Sequence, residues 1–261
     1  MPNVENITRP ITLVGSGRSG TSLIEACLRT SPNIQPVGET GGLIFGLAAG
    51  AMDVQMPSAS GPDGRMAFAA TAIRNALTAT EGSALPRWFQ KPIGLPKFLN
   101  YRSLPGEKTM TGFPAEWFWS VLRTTFPEAL FFTCLRHPRD VVVSWRRFQG
   151  WSERESWRDL LMIYEIIAHP SCPLAHALFF DEVSHGPEGV RPLFEFIGEP
   201  MPDNLESVYG KAHSMGGHEP RASYADSWEE HEPPALSEAE RAVMIELWDR
   251  FGRKLDLDKL G

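Results

Sequence analysis

The sequence predicts an α/β fold with a mostly parallel central sheet flanked by helices. Three observations predict it. A β-branched run, Ile11-Thr-Leu-Val14, enters a glycine-rich loop; two further apolar runs occur at Leu130–Leu135 and Leu178–Phe180; and helical periodicity follows each of them. Strands that alternate with helices form a parallel sheet, because each crossover lays its helix on a sheet face. The 261 residues suit a single domain over 1–261, and 42% hydrophobic against 22% charged residues excludes disorder and fibrous repeats.

Taken in order, the first strand ends at Gly15-Ser-Gly-Arg-Ser-Gly20. From Thr21 the apolar positions Leu23, Ile24, Cys27 and Leu28 fall at helical spacing, until Ser31-Pro32-Asn33 stops the helix. Ile34–Val37 reads as a second short strand, ending at Gly38-Glu39-Thr40. Residues 41–106 give weaker signals: a Gly-rich apolar stretch from Gly41 to Met52, a loop around Pro57–Gly64, a helix over Met66–Thr80 and a Pro-broken stretch over 86–105. That region is expected to vary in position and to line a substrate cleft. A helix over Ala115–Thr125 precedes Leu130–Leu135, and Pro138 can open the next helix at its first turn, where a missing N–H breaks no helical bond. Leu160, Leu161, Tyr164 and Ile167 form one stripe of a helix over Trp157–Ile167. Leu178–Phe180 is a third buried strand, a helix lies near Val190–Ile197, and Ser237 caps a final helix running towards Lys254.

Charge and cysteine usage narrow the function classes. The net charge of −7 arises entirely after residue 198, where 7 Lys/Arg face 14 Asp/Glu. Such a chain is a poor nucleic-acid binder, since that binding needs a basic face, so any anion must be held by a few placed donors. Cys27, Cys134 and Cys172 form no even set and no CxxC, which argues against disulfide staples and a zinc ribbon. The seven His show no metal spacing, so no metal is expected. No apolar run reaches the roughly 18–20 residues of a membrane span, and the start lacks signal-peptide character. A soluble cytoplasmic protein is expected.

The loop at 15–20 carries the most local information, and three readings of it stay open. Gly15, Gly17 and Gly20 let the backbone turn and approach an anion, while the helix from Thr21 offers free N–H groups and a positive dipole end. As Gly-x-Gly-x-x-Gly it suits a dinucleotide, with Glu39 about where a ribose-binding acid stands. As a Walker A loop it lacks the Lys that neutralises the β- and γ-phosphates, since Thr21-Ser22 follow Gly20 directly. As a loop with its cation inside, Arg18 followed by Ser19-Gly20-Thr21-Ser22, it suits a single phosphate that carries a transferable group. A second anion site lies at the end of Leu130–Leu135, in Arg136-His-Pro-Arg-Asp-Val-Val-Val-Ser144. Arg136 stands where open α/β sheets bind ligands, its planar fork matches phosphate oxygens, and Ser144 adds a hydroxyl two helical turns on.

Together these two segments resemble the sulfotransferases that use 3′-phosphoadenosine 5′-phosphosulfate (PAPS). In that family a cationic loop of the form Lys/Arg-Ser-Gly-Thr-Thr/Ser holds the 5′-phosphosulfate, and an Arg with a Ser eight residues on holds the 3′-phosphate. Phe126-Pro-Glu-Ala, Phe180-Asp-Glu-Val, Leu193-Phe-Glu-Phe-Ile-Gly198 and His213-Ser-Met-Gly-Gly-His-Glu-Pro-Arg221, with Trp228 after it, resemble further family segments. The resemblance covers about 11–40 and 107–255. It implies the P-loop-like fold of the family, PAPS as donor with the desulfated bisphosphate nucleotide (PAP) as product, and an acceptor that is a small molecule, carbohydrate, lipid or peptide. A homodimer is compatible with it. It implies binding roles for Gly17, Arg18, Ser19, Gly20, Thr21, Ser22, Arg136, Ser144 and Arg221, the last in a loop where His218 replaces a usual Asn.

For chemistry, Arg18 is the cation expected to stabilise charge on the bridging oxygen, and it acts electrostatically because it holds its proton at neutral pH. The base His that cytosolic members carry after Lys-Thr is absent, because Met110 follows Lys108-Thr109. Tyrosylprotein sulfotransferases use instead a Glu 21 residues after the loop Arg, followed by Thr; Glu39-Thr40 stands at that spacing and is the expected base. Lys108 is expected to contact the sulfuryl oxygens, with Lys91 as its rival. An NAD(P)-dependent oxidoreductase and a catalytically silent nucleotide-binding relative are the alternative readings.

Overall fold

β1 (Ile11–Leu13), fully buried, is the middle strand of a five-stranded sheet. The computed structural model describes residues 9–53, 61–81, 87–93, 104–209 and 236–256. With β2 (Ile34–Glu39), β3 (Arg87–Lys91), β4 (Leu130–Leu135) and β5 (His176–Phe179), the strand order is β2-β3-β1-β4-β5, and every pairing is parallel. Both faces of such a sheet must be covered, which is why β1 and β4 read as near-continuous apolar runs, each interrupted by one buried threonine, Thr12 and Thr133, and not as alternating ones. The α-helices of the described residues are α1 (Thr21–Leu28), α2 (Gly41–Asp53), α3 (Gly61–Glu81), α4 (Ala115–Thr125), α5 (Pro138–Gln149), α6 (Glu153–Ala168), the single turn α7 (Phe180–Val183), α8 (Arg191–Ile197) and α9 (Glu238–Arg250).

The connections place a site before any side chain is considered. From β1 the chain leaves towards β2 on one side, and from β4 it leaves towards β5 on the other. The loops after β1 and β4 therefore diverge and open a crevice at the carboxyl ends of two adjacent strands, the switch point where open α/β sheets take ligands. A buried polar chain ties the strands on one side of it. Thr40 Oγ1 donates to Gln90 Oε1 at 2.8 Å, and Gln90 Nε2 donates to Thr12 Oγ1 at 3.2 Å, crossing from the end of β2 through β3 to β1.

Several boundaries differ from the sequence reading: α3 begins at Gly61, inside the expected loop and ahead of Met66, β2 runs on to Glu39, and four further differences each have a physical reason. The Gly-rich stretch is a 13-residue helix, α2, although glycine disfavours helices. Ile44, Phe45, Ala48 and Ala49 are buried, and Phe45 stacks on Phe118 at 4.6 Å, so packing overrides propensity. The Pro-broken stretch contains β3, whose Trp88 and Phe89 are buried and whose register runs Phe89↔Ile11 on one side and Trp88↔Gln35 on the other. α6 starts at Glu153, not Trp157, because Ser152 and Glu155 form a reciprocal capping box. Phe180 begins α7 and does not end β5. Trp117, Phe118 and Trp119 belong to the core, with Trp119 Nε1 donating to Ile166 O at 2.6 Å.

Candidate functional site

The loop after β1 is shaped by close approach and by left-handed backbone. Gly20 has φ 90° and caps α1, so the first N–H groups of α1, which have no helical acceptor, open onto the crevice. A Cβ at Gly17 would lie 2.8 Å from Trp145 Cη2 and closer still to Cζ2, and the Trp145 ring is itself stacked on Trp151 at 4.6 Å. Arg18 has φ 67°, a left-handed conformation that costs a side-chain-bearing residue about 1–2 kcal/mol. Ser19 is 1% exposed, and its Oγ has no hydrogen-bond partner among the described residues. A buried hydroxyl without a partner is costly unless a ligand atom completes it. Thr21 is buried and Ser22 exposed.

The loop after β4 meets this one directly. Arg136 and Ser144 are each 8% exposed. Arg136 Nη1 donates to Arg18 O at 3.1 Å, and its guanidinium lies 4.3 Å from the centroid of Phe180. Asp140 Oδ2 stands 4.0 Å from Arg136 Nε. The Arg136 carbonyl accepts a bond from Tyr164 OH at 3.2 Å, and burial pushes that phenol well above its ordinary range, so it stays a donor. Arg18 Nε donates to Ser144 Oγ at 3.0 Å, and the Arg18 guanidinium covers Phe148 at 4.3 Å. Arg18, Ser19, Arg136 and Ser144 thus come together on the β1/β4 crevice, two cations with two hydroxyls over aromatic faces. Nothing in their types singles out Trp145, Phe148 and Phe180; only their places beside Ser144 and after β5 could have drawn attention to them.

Glu39 is exposed at the carboxyl end of β2, the edge strand. Two strand spacings, roughly 10 Å, separate β2 from β1. Its register partner is Lys91, at the end of β3. Lys91 is 5% exposed, with its Nζ 2.6 Å from Glu25 Oε2 on α1. Lys108 is half-buried and folds back on its own loop, donating to Leu104 O and to Gly106 O at 3.2 Å. That loop is pinned through Thr111, whose N–H and hydroxyl both donate to the buried carboxylate of Glu165. Arg221, with His213, His218 and Trp228, lies outside the described residues. Glu25 escaped the sequence reading, because a Glu four residues before Arg29 looks like an ordinary surface pair on a helix.

Among the described residues no group of His, Cys, Asp and Glu could hold a metal ion. No described helix is long and apolar enough to cross a membrane.

A sequence model of the sulfotransferase family matches residues 10–203. Comparison with curated protein sequences finds no match. Among solved structures, the sulfotransferase domain from the Synechococcus PCC 7002 olefin synthase aligns over 97% of this chain and 96% of its own, with 15% identity and a TM-score of 0.57. The sulfotransferase STF9 from Mycobacterium avium aligns over 96% of this chain and 78% of its own, with 15% identity and a TM-score of 0.49. At that identity the first of these likenesses speaks for the fold.

Proposed function

Because the chain belongs to the sulfotransferase family, we propose that it moves a sulfuryl group from PAPS to a hydroxyl or amine of an acceptor, within one domain whose 41–106 region shapes the acceptor cleft. The observation that carries this reading is the joining of the two anion-binding segments, Arg136 to Arg18 O and Arg18 to Ser144, at the switch point. The residues fit a bisphosphate nucleotide. Ser19 Oγ is a buried hydroxyl wanting a partner, the α1 N–H groups suit a 5′-phosphate, and Arg136 with Ser144 suits a 3′-phosphate. Arg221 is a further proposed ligand of that phosphate.

When bound, the donor supplies an electrophilic sulfuryl group on a phosphate leaving group. Arg18 would stabilise the charge that collects at the bridging oxygen, and Ser144 would fix the direction of its guanidinium. Gly17, Gly20, Thr21 and Ser22 would shape the cradle. Glu39, with a carboxylate that no described residue pairs, would take the proton of the acceptor group. For the sulfuryl oxygens, Lys91 is favoured over Lys108: it ends a strand beside the crevice, whereas Lys108 is engaged by carbonyls of its own loop.

Calorimetric titration with PAP tests the cofactor. Binding is expected with the wild-type chain, together with no binding of NAD, and Arg136→Ala should weaken PAP at least tenfold, since a charge-assisted hydrogen bond is worth about 1.5–3 kcal/mol. Unchanged PAP affinity in Arg136→Ala, or preferred binding of NAD, would overturn the assignment. Transfer of labelled sulfate from PAPS to an acceptor panel tests the chemistry. Glu39→Gln is expected to lower kcat by about 10²–10⁴ at saturating donor while PAP still binds, and full turnover would remove Glu39 from the base role.

A further inference from the structure

Lys91 has a glutamate on each of two neighbouring elements, Glu25 on α1 and Glu39 on β2, and the one on α1 holds it. Its ammonium is 2.6 Å from Glu25 Oε2, with side-chain exposures of 6% and 16%. The other Glu25 oxygen, Oε1, accepts from the exposed Arg29 at 2.9 Å. The second carboxylate in reach is Glu39, the register partner of Lys91 across the β2–β3 pair, on a strand about 4.8 Å away. No ion pair between Lys91 and Glu39 forms; the structure sends the ammonium to α1 instead.

We infer that Glu25 is a positioning residue, which fixes Lys91 at the crevice and keeps it from pairing with Glu39; this rests on the reading above that Lys91 and Glu39 serve sulfuryl transfer. A buried ammonium needs a partner, and if Glu25 did not supply one, Glu39 would be the nearest substitute. That exchange would neutralise the cation and the base together. An ammonium has three N–H donors, and Glu25 takes one direction only, leaving donors for sulfuryl oxygens. Glu25 lies one helical turn after Thr21, so the helix that offers its N–H groups to the anion also carries the carboxylate that sets the lysine. The loop and the lysine are thereby held in one register. The flexible four-carbon stem of lysine would otherwise leave that position loosely defined.

The experiment uses the full-length chain with Lys91→Met, Glu25→Gln, Glu25→Asp and the double variant Glu25→Gln/Lys91→Met. Affinities for PAPS and for PAP are measured by calorimetry, and the rate of sulfate release or transfer is measured at saturating PAPS. Lys91→Met should weaken PAPS several-fold, leave PAP within about threefold and lower turnover tenfold or more. Glu25→Gln should reproduce that pattern, Glu25→Asp should recover part of it, and the double variant should be no worse than Lys91→Met, because two residues acting as one unit are not additive. Wild-type turnover in Glu25→Gln, additive loss in the double variant, or a parallel loss of PAP affinity overturns the inference; the last would show that Glu25 serves only the shape of α1. Should Glu25→Gln not fold, Glu25→Asp decides by the same two affinities. If Lys91→Met itself turns over normally, the underlying reading of Lys91 fails, and the inference falls with it.

Discussion

At the scale of single residues, the loop between β1 and α1 trades backbone ease for the placement of one side chain. Arg18 adopts a left-handed conformation that glycine would adopt freely, and so brings a guanidinium to Ser144. Arg18→Gly is expected to leave the thermal midpoint within a few degrees, since relief of about 1–2 kcal/mol of backbone cost roughly offsets the entropy that glycine adds to the unfolded chain. PAP and PAPS binding should nevertheless fall at least tenfold by calorimetry. Gly17→Ala should differ in its effect on stability. Its Cβ would press on the ring of Trp145, which stacks on Trp151 and has little room to yield, so a loss of about 1–3 kcal/mol is expected in urea unfolding, together with weaker PAP binding. These positions were legible in the sequence as glycine and arginine in a strand–loop–helix. The ring that makes Gly17 obligatory comes from 128 positions further on and was not.

At the scale of elements, the ends of helices were written more plainly than their interiors. Ser237 caps α9 as the sequence suggests, through a capping box with Glu240, whereas the equivalent box of Ser152 with Glu155 starts α6 four residues ahead of the expected Trp157. Ser152→Ala is expected to cost about 1 kcal/mol and to lower the thermal midpoint by about 2–4 °C, with little effect on nucleotide affinity. A larger effect on PAP binding than on the midpoint would mean that the α5–α6 junction shapes the site. By contrast, α2 and β3 were hidden. The glycines of α2 lower its intrinsic propensity, and five residues between Pro86 and Pro92 give too short a run to reveal a strand. Both exist because neighbours bury them: Phe45 against Phe118, and β3 between β1 and β2.

At the scale of the whole molecule, burial sets how the fold responds to pH and to thiol reagents. His176 on β5 stacks on Phe196 at 4.8 Å, its Nε2 has no partner among the described residues, and burial lowers its proton affinity below the ordinary value of 6.5. The unfolded chain therefore binds the proton more readily below about pH 6.5, so this part of the stability is complete above that pH and is lost as pH falls through it. The thermal midpoint should drop between pH 7 and pH 5.5, and His176→Gln should flatten that part of the profile. All three cysteines are buried, and burial pushes Cys27 and Cys172 up to about 11 and Cys134 higher still. No thiol is expected to react with Ellman's reagent in the native protein at pH 8, and all three should react in denaturant. The order of the strands depends on the same packing. By itself the sequence determined the α/β class, the glycine loop after the first strand, the arginine at a strand tip and the Ser237 cap, because each is set by residues within a few positions of one another. Only the tertiary structure decided that β3 separates β2 from β1, that Lys91 meets Glu25, and that Arg136 reaches the backbone of Arg18. Those outcomes depend on how remote segments exclude water together, and no local pattern encodes that.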